Sequence, residues 1–281
     1  MLSYRHSYHA GNHADVLKHT ILLQLLEHLG KKDKAYWVVD THAGAGLYAL
    51  DSPHAEKLGE YREGIGRLWE RSDLPLALAH YVAQVRACNP DGSLRAYPGS
   101  PWLTQQALRS QDRLRLCELH STDLRLLDEY LGHTDKQTQI FGEDGFSRLK
   151  ALLPPPSRRG LVLIDPSYEL REDYARVCEA LKDSLSRFAT GTYAIWFPLL
   201  SRPESRHLAS KLKTIAGRDW LYAAFCVREP QAEGSGMYGS GMFIVNPPWT
   251  LAKTLELELP FLQKTLAQGP GAHHVLEQHV S

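Results

Sequence analysis

The chain has only four cysteines, Cys88, Cys117, Cys178 and Cys226, and no two of them form a Cys-x-x-Cys pair. That scatter argues against a disulfide framework or a cysteine-based zinc site and points to reduced residues, two of them inside apolar runs. Net charge is missing too, since 32 Lys and Arg balance 32 Asp and Glu. No overall field steers a polyanion to such a protein, so a nucleic-acid partner has to meet a local basic face. Nowhere do eighteen apolar residues follow one another, and the first residues include no apolar stretch of signal-peptide form. A cytoplasmic protein without membrane contact is the expectation. The 281 residues suit one large α/β domain, with or without an insertion, and can bury a substantial core.

The most informative stretch is Leu161-Val162-Leu163-Ile164-Asp165-Pro166-Ser167-Tyr168. A short branched apolar run, entered through Arg158-Arg159-Gly160 and cut off by proline, reads as a strand buried on both faces. It delivers Asp165 to the carboxyl rim, where open α/β sheets bind ligands. The tetrad Asp165-Pro166-Ser167-Tyr168 resembles the Asp-Pro-Pro-Tyr signature of methyltransferases that act on the exocyclic amine of adenine. Such an amine has its lone pair drawn into the ring and attacks a methyl sulfonium poorly. A carboxylate at Asp165 and the carbonyl of Pro166, fixed by the proline backbone, can accept its N–H bonds and sharpen the nitrogen. Tyr168 is expected to stack on the base. Read without function, the same residues are a strand-ending turn. Ser167 departs from the signature's second proline, which stiffens the loop but supplies no reacting atom.

A second rim feature is Tyr36-Trp37-Val38-Val39-Asp40 followed by Thr41-His42-Ala43-Gly44-Ala45-Gly46. A strand ending in an acid, then a Gly-x-Gly turn, lets backbone approach a ligand closely, and it resembles the first motif of S-adenosylmethionine-dependent methyltransferases. Ala49 stands where a dinucleotide fingerprint has its third glycine. In a plain unit the next acid follows after roughly twenty residues. Here it waits until Glu118, placed to accept ribose hydroxyls at the end of Leu114 to Cys117. The excess, with helical spacing through Leu68, Trp69, Leu78, Tyr81, Val82 and Val85, predicts an inserted helical subdomain over residues 51–97, within a methyltransferase domain of residues 1–50 and 98–281.

Other segments fill in around these. Asn12 can cap a helix running from Val16 to Leu29 and closed by Gly30. His9, His13 and His19 invite a metal reading, but a closed ligand set is missing; no metal is expected. Ser100, before Pro101, either aims helix amides at a carboxylate or simply caps. Thr138 to Phe141 forms a third strand leading to Asp144, which takes a cofactor's adenine amine or caps the next helix. Pro154 to Arg159 is a stiff basic approach, and Arg202, Arg206, Lys211 and Lys213 form a second basic cluster. Later strands are Thr192 to Pro198, Leu221 to Val227 and Met242 to Val245, with Gly234 to Gly241 as a flexible connection and a loosely held tail past Gly269. Asn246-Pro247-Pro248-Trp249 is a second tetrad of catalytic appearance. It closes the seventh strand, usually antiparallel, and is read as a turn on the opposite rim.

Taken together, the blocks Tyr4-Arg5-His6-Ser7, His9 to His13 through Lys18-His19, Thr41 to Gly46, Tyr97 to Pro101, Ser157 to Asp165 and Asn246 to Trp249 resemble the ribosomal RNA large subunit methyltransferase J family. The resemblance implies a Rossmann-like class I fold with a seven-stranded, mostly parallel sheet and a helical insertion. It implies methylation of an adenosine N6 amine in 23S rRNA, naked or partly assembled, by a monomer using S-adenosyl-L-methionine. Cofactor contacts would fall to Lys18, His19, His42, Gly44, Gly46, Ser100, Glu118, Asp144, Gly145 and Asp165. Catalysis would fall to Asp165, Pro166 and Tyr168, and substrate contacts to Tyr4, Arg5, His6 and Tyr168.

Overall fold

The structure, a computed structural model, describes residues 5–132, 137–230 and 236–280. Its strands in chain order are β1 (Trp37–Asp40), β2 (Leu47–Ala49), β3 (Ala96–Pro98), β4 (Arg113–Cys117), β5 (Thr138–Phe141), β6 (Gly160–Ile164), β7 (Thr192–Leu199), β8 (Trp220–Cys226), β9 (Gly239–Val245) and β10 (His273–His279). The helices are α1 (His13–Gly30), α2 (Pro53–Leu58), α3 (Glu60–Glu63), α4 (Gly66–Trp69), α5 (Leu76–Ala87), α6 (Ser100–Ala107), α7 (Ser121–Leu131), α8 (Gly145–Leu152), α9 (Glu172–Arg187), α10 (Pro203–Ala216) and α11 (Leu251–Leu266).

Eight strands make the main sheet, in the order β10-β8-β9-β7-β6-β1-β4-β5. From β5 to β7 neighbours run parallel, whereas β9 lies antiparallel between β7 and β8. The apolar run of β6 is buried at every position, since β1 and β7 pair with its two edges and the faces of the sheet are covered, α1 packing against it. All seven strands read from the sequence are present. The eighth, β10, corrects the expectation of a loose tail: it pairs antiparallel with β8 from His273 to His279. Its polar, half-exposed residues carry little apolar alternation because it is an edge strand. The connection expected up to Gly241 is also shorter than read, since Gly239 and Gly241 belong to β9. A Cβ at Gly239 would sit 2.5 Å from the Phe225 carbonyl oxygen, so glycine there marks close packing of backbones. Gly234 lies outside the described residues.

Residues between the ribbon strands β2 and β3 form α2 to α5, and their apolar side chains join the same core as α1 and the sheet. The expectation of helices without a strand is therefore right for this segment except at Ala96–Pro98, which pairs with β2 and brings its two ends together. Asn12 caps α1 as read, its side-chain oxygen accepting from the amides of Ala14 and Asp15. No described helix is long and apolar enough to cross a membrane.

Candidate active site

The carboxyl ends of β1, β4 and β6 open into one cavity of about 970 Å³. Thr41 to Gly44 arrive from β1, Glu118 from β4, and Asp165 to Tyr168 from β6, while α1 supplies Asp15, Lys18 and His19 and β7 supplies Trp196. The two rim features read from the sequence thus share one space.

At the glycine turn, Gly44 and Gly46 adopt φ of 65° and 79°, which favours glycine. The Gly44 amide donates to Glu118 Oε2 over 2.7 Å, and the His120 amide donates to Oε1 over 2.7 Å. Burial raises the Glu118 pKa, opposed by these two amides. Gly145, at the start of α8, sits so close to the β1 loop that a Cβ would lie 2.0 Å from the Thr41 carbonyl oxygen. The Asp144 carboxylate caps α8 by accepting from the Ser147 amide and hydroxyl, and it also accepts from Arg176 over 2.7 Å. Burial pushes its pKa up, but Ser147 and Arg176 outweigh that and hold it low. His42 lines the cavity with its ring against Phe146, and burial lowers its pKa to about 4.

Around Asp165 an ionic chain runs inward. The Lys18 ammonium lies 2.6 Å from Asp165 Oδ2 and 2.9 Å from Asp15 Oδ1, and Asp15 Oδ2 lies 2.9 Å from His6 Nε2. Burial opposes the Lys18 charge, but Asp15 and then Asp165 overcome it and raise its pKa. Burial likewise opposes the Asp15 charge, yet His6, Lys18 and His19 bring its pKa well below the ordinary value. The ammonium also stands 5.3 Å from the Trp196 ring centroid.

The remaining expected site residues are placed as follows. Lys18, expected at the cofactor, lines the cavity with its ammonium held between the Asp15 and Asp165 carboxylates. Ser100 lines the cavity at the start of α6, and its hydroxyl donates to Asp40 Oδ2 over 2.7 Å. Asp40 is the residue that sequence reasoning passed over, although its place at the end of β1 was the signal. Burial raises its pKa to about 7, with the Ser100 bond opposing and Asp165 adding to the rise. Tyr168 is only 1% exposed, and its hydroxyl donates to the Trp196 carbonyl over 2.7 Å. With φ of 52° and its ring against Tyr174, it is a wall of the cavity and offers no open face to a base in this conformation. Gly46 and Arg5 lie away from the cavity lining, and Tyr4 is outside the described residues. His19 is buried at the cavity wall, its Nδ1 2.8 Å from the Tyr97 hydroxyl, and burial lowers its pKa to about 3.

His9 pairs with Glu60 and His13 packs against Phe225, and among the described residues no group of three or more His, Cys, Asp or Glu could hold a metal ion. Asn246 lies where β9 leaves the opposite rim, donating to the carbonyls of Ala189 and Gly191, which makes its tetrad a turn.

Comparison with known proteins agrees with this layout. The family described as "Ribosomal RNA large subunit methyltransferase D, RlmJ" matches residues 33–277. Ribosomal RNA large subunit methyltransferase J of Haemophilus influenzae is 48% identical over 274 residues, covering 97% of each chain. Its namesake from Escherichia coli is 46% identical over 273 residues, again 97% of each. The crystal structure of protein LPL1258 from Legionella pneumophila superposes with a TM-score of 0.88 at 38% identity, covering 96% of this chain and 98% of that one. With identity at this level across nearly the whole length, the chain belongs to the ribosomal RNA large subunit methyltransferase J family.

Proposed function

We propose that the protein transfers a methyl group from S-adenosyl-L-methionine to the exocyclic N6 amine of an adenosine in 23S rRNA. The observation that carries this reading is the convergence of Asp165-Pro166 with the Gly44 turn and Glu118 in one cavity. Membership of a family of rRNA methyltransferases supports the substrate class.

The residues fit the cofactor. A turn with glycine at positive φ brings backbone to the ligand, and a half-buried carboxylate at Glu118 is fixed by two amides and can accept ribose hydroxyls. His42, Asp144 and Gly145 complete the wall where its adenine would lie, with His19 at the side of α1. When bound, the cofactor supplies an electrophilic methyl sulfonium.

The remaining work belongs to the protein. Lys18 engages Asp165 Oδ2 and leaves Oδ1 to accept one N–H of the target amine, while the Pro166 carbonyl accepts the other. The hydroxyl of Tyr168 anchors the turn that holds both acceptors in place. Arg202 and Arg228, which line the cavity, offer charge to the phosphates beside the target nucleotide. Orientation of the amine and exclusion of water account for most of the rate.

Purified protein, labelled cofactor and three acceptors test the proposal: undermodified 23S rRNA, adenine-containing DNA and a glutamine-bearing protein. Label is expected in the rRNA alone. Incorporation into DNA or protein, with none into rRNA, overturns the reading.

A further inference from the structure

Two stretches singled out in the sequence, Pro154 to Arg159 and Asn246 to Trp249, take no part in the cavity. Both lie on the opposite rim of the sheet, where the parallel strands begin. There Trp37 of β1 is level with Arg113 of β4 and Gly160 of β6, so Arg113 and Arg159 flank the loop Lys31 to Lys34 that feeds β1. Arg159 donates to the carbonyls of Leu29 and Lys34, and Arg109 to those of Gly30, Lys32 and Lys34. Bonds to carbonyls hold the loop but neutralise nothing.

The Asp112 carboxylate is taken up by Arg109. That leaves Lys31, Lys32, Lys34, Arg113, Arg158 and Arg159 against Glu27 and Asp33, a local basic excess on a chain whose charges balance as a whole. The same cations act on His28, whose pKa is lowered first by burial and then by Lys31, Lys32 and Arg159, with Glu27 opposing. Further along the same rim, past β7, β9 ends at Asn246, and three residues on the Trp249 indole stands 83% exposed. Crowded cations are relieved by a polyanion, and an exposed aromatic on the same rim, following a strand two places along from β6, favours a nucleic-acid strand, whose bases stack, over an acidic protein surface.

Resting on the function proposed above, we propose that this rim is a second RNA-contacting surface. The cluster from Lys32 to Arg158 takes the phosphate backbone of an rRNA segment remote from the target adenosine, and Trp249 stacks on an unpaired base of that segment. The five residues of β6 separate the two rims by roughly 15 Å. Only an RNA long enough to pass round the sheet reaches both.

The test compares a long 23S rRNA fragment with a short hairpin carrying the target. Direct binding across a salt series and methyl-transfer kinetics are measured for the unaltered protein, for Lys32→Glu with Lys34→Glu and Arg158→Glu, and for Trp249→Ala, after thermal unfolding shows that each variant is folded. The triple variant is expected to weaken binding of the long fragment at least about 10-fold and to flatten its salt slope by about two to three, with kcat and hairpin binding unchanged. Trp249→Ala is expected to weaken the long fragment alone, by about 5- to 100-fold. Unchanged affinity for the long fragment overturns the proposal, as does equal loss on both RNAs. Weakened binding to partly assembled subunits, with naked RNA unaffected, also overturns it and assigns the rim to a protein surface. If the unaltered protein transfers no methyl to rRNA while the triple variant still loses the long fragment, the function proposed above falls and the rim stands.

Discussion

The Lys18 ammonium sits 2.6 Å from Asp165 Oδ2, joining two residues 147 positions apart in the chain. Its other partner is Asp15, one turn earlier on α1, and all three side chains are largely withdrawn from water. A buried cation between two carboxylates couples the orientation of Asp165, the proposed acceptor for the target amine, to the packing of the first helix.

Replacing Lys18 by Met leaves Asp165 without this counter-charge and leaves Asp15 with its His6 contact. A loss of about 3–5 kcal/mol is expected in chemical denaturation, together with a fall in methyl transfer of at least about 10²-fold. Adding Asp15→Asn should restore part of the stability and none of the activity. Recovery of activity in the double variant would mean that Lys18 acts only by keeping the fold together.

Glu118 is expected to govern cofactor affinity rather than chemistry. Its two oxygens order the Gly44 and His120 amides at the cavity wall. Glu118→Ala should weaken S-adenosyl-L-methionine binding in calorimetry by about 10- to 100-fold, the range given by losing hydrogen bonds to a charged group. Activity at saturating cofactor should fall much less. Unaltered affinity would move the ribose to another part of the cavity.

Gly44→Ala tests the turn itself. The position has φ of 65°, and a Cβ there would lie 2.3 Å from the Tyr48 hydroxyl oxygen. A stability loss of about 1–3 kcal/mol is expected, with weakened cofactor binding. Tyr48→Phe in the same chain removes the clashing oxygen and should recover part of the loss. If Gly44→Ala behaves as the unaltered protein, the turn has another conformation in solution.

Glu258 on α11 predicts an alkaline weakness far from the cavity. It is 1% exposed, and burial raises its pKa to about 8 against the hydrogen bond from Gln24. The folded protein therefore keeps a proton that the unfolded chain gives up near its ordinary value. Stability from this group is present below about 4.5 and is lost as pH rises through about 8, at about 1.4 kcal/mol per pH unit between. Asp40, raised to about 7, acts with the same sign. Glu258→Gln should raise Tm above pH 8 more than at pH 5. Parallel Tm curves for the two proteins would show that Glu258 titrates as an ordinary carboxyl.

Much of this site was legible because its parts are local. A branched run cut off by Asp165-Pro166 reads as a strand end, a Gly-x-Gly turn after an apolar strand allows a close approach, and Asn12 before a periodic run is a good cap. Topology followed from the same reading, and β9 does run antiparallel, which sends Asn246 to the far rim. What escaped was set by contacts between distant segments. Nothing near Lys18 signals Asp165, nothing in the Asp165 tetrad signals that Tyr168 turns inward to bond the Trp196 carbonyl, and Ser100 meets Asp40 only once the sheet is assembled. The edge strand β10 was missed because half of its surface faces solvent and its residues are chosen for that.

The most direct test is the identity of the methylated nucleoside made with and without the Asp165 carboxylate. Undermodified 23S rRNA is treated with the unaltered protein or with Asp165→Asn, digested to nucleosides and analysed by mass spectrometry, while calorimetry follows cofactor binding by both proteins. The unaltered protein should yield N6-methyladenosine, and Asp165→Asn should bind cofactor normally yet yield product about 10² to 10⁴ times more slowly. A different methylated nucleoside, or an Asp165→Asn protein that works at the normal rate, would contradict the assignment of that carboxylate to the adenine amine.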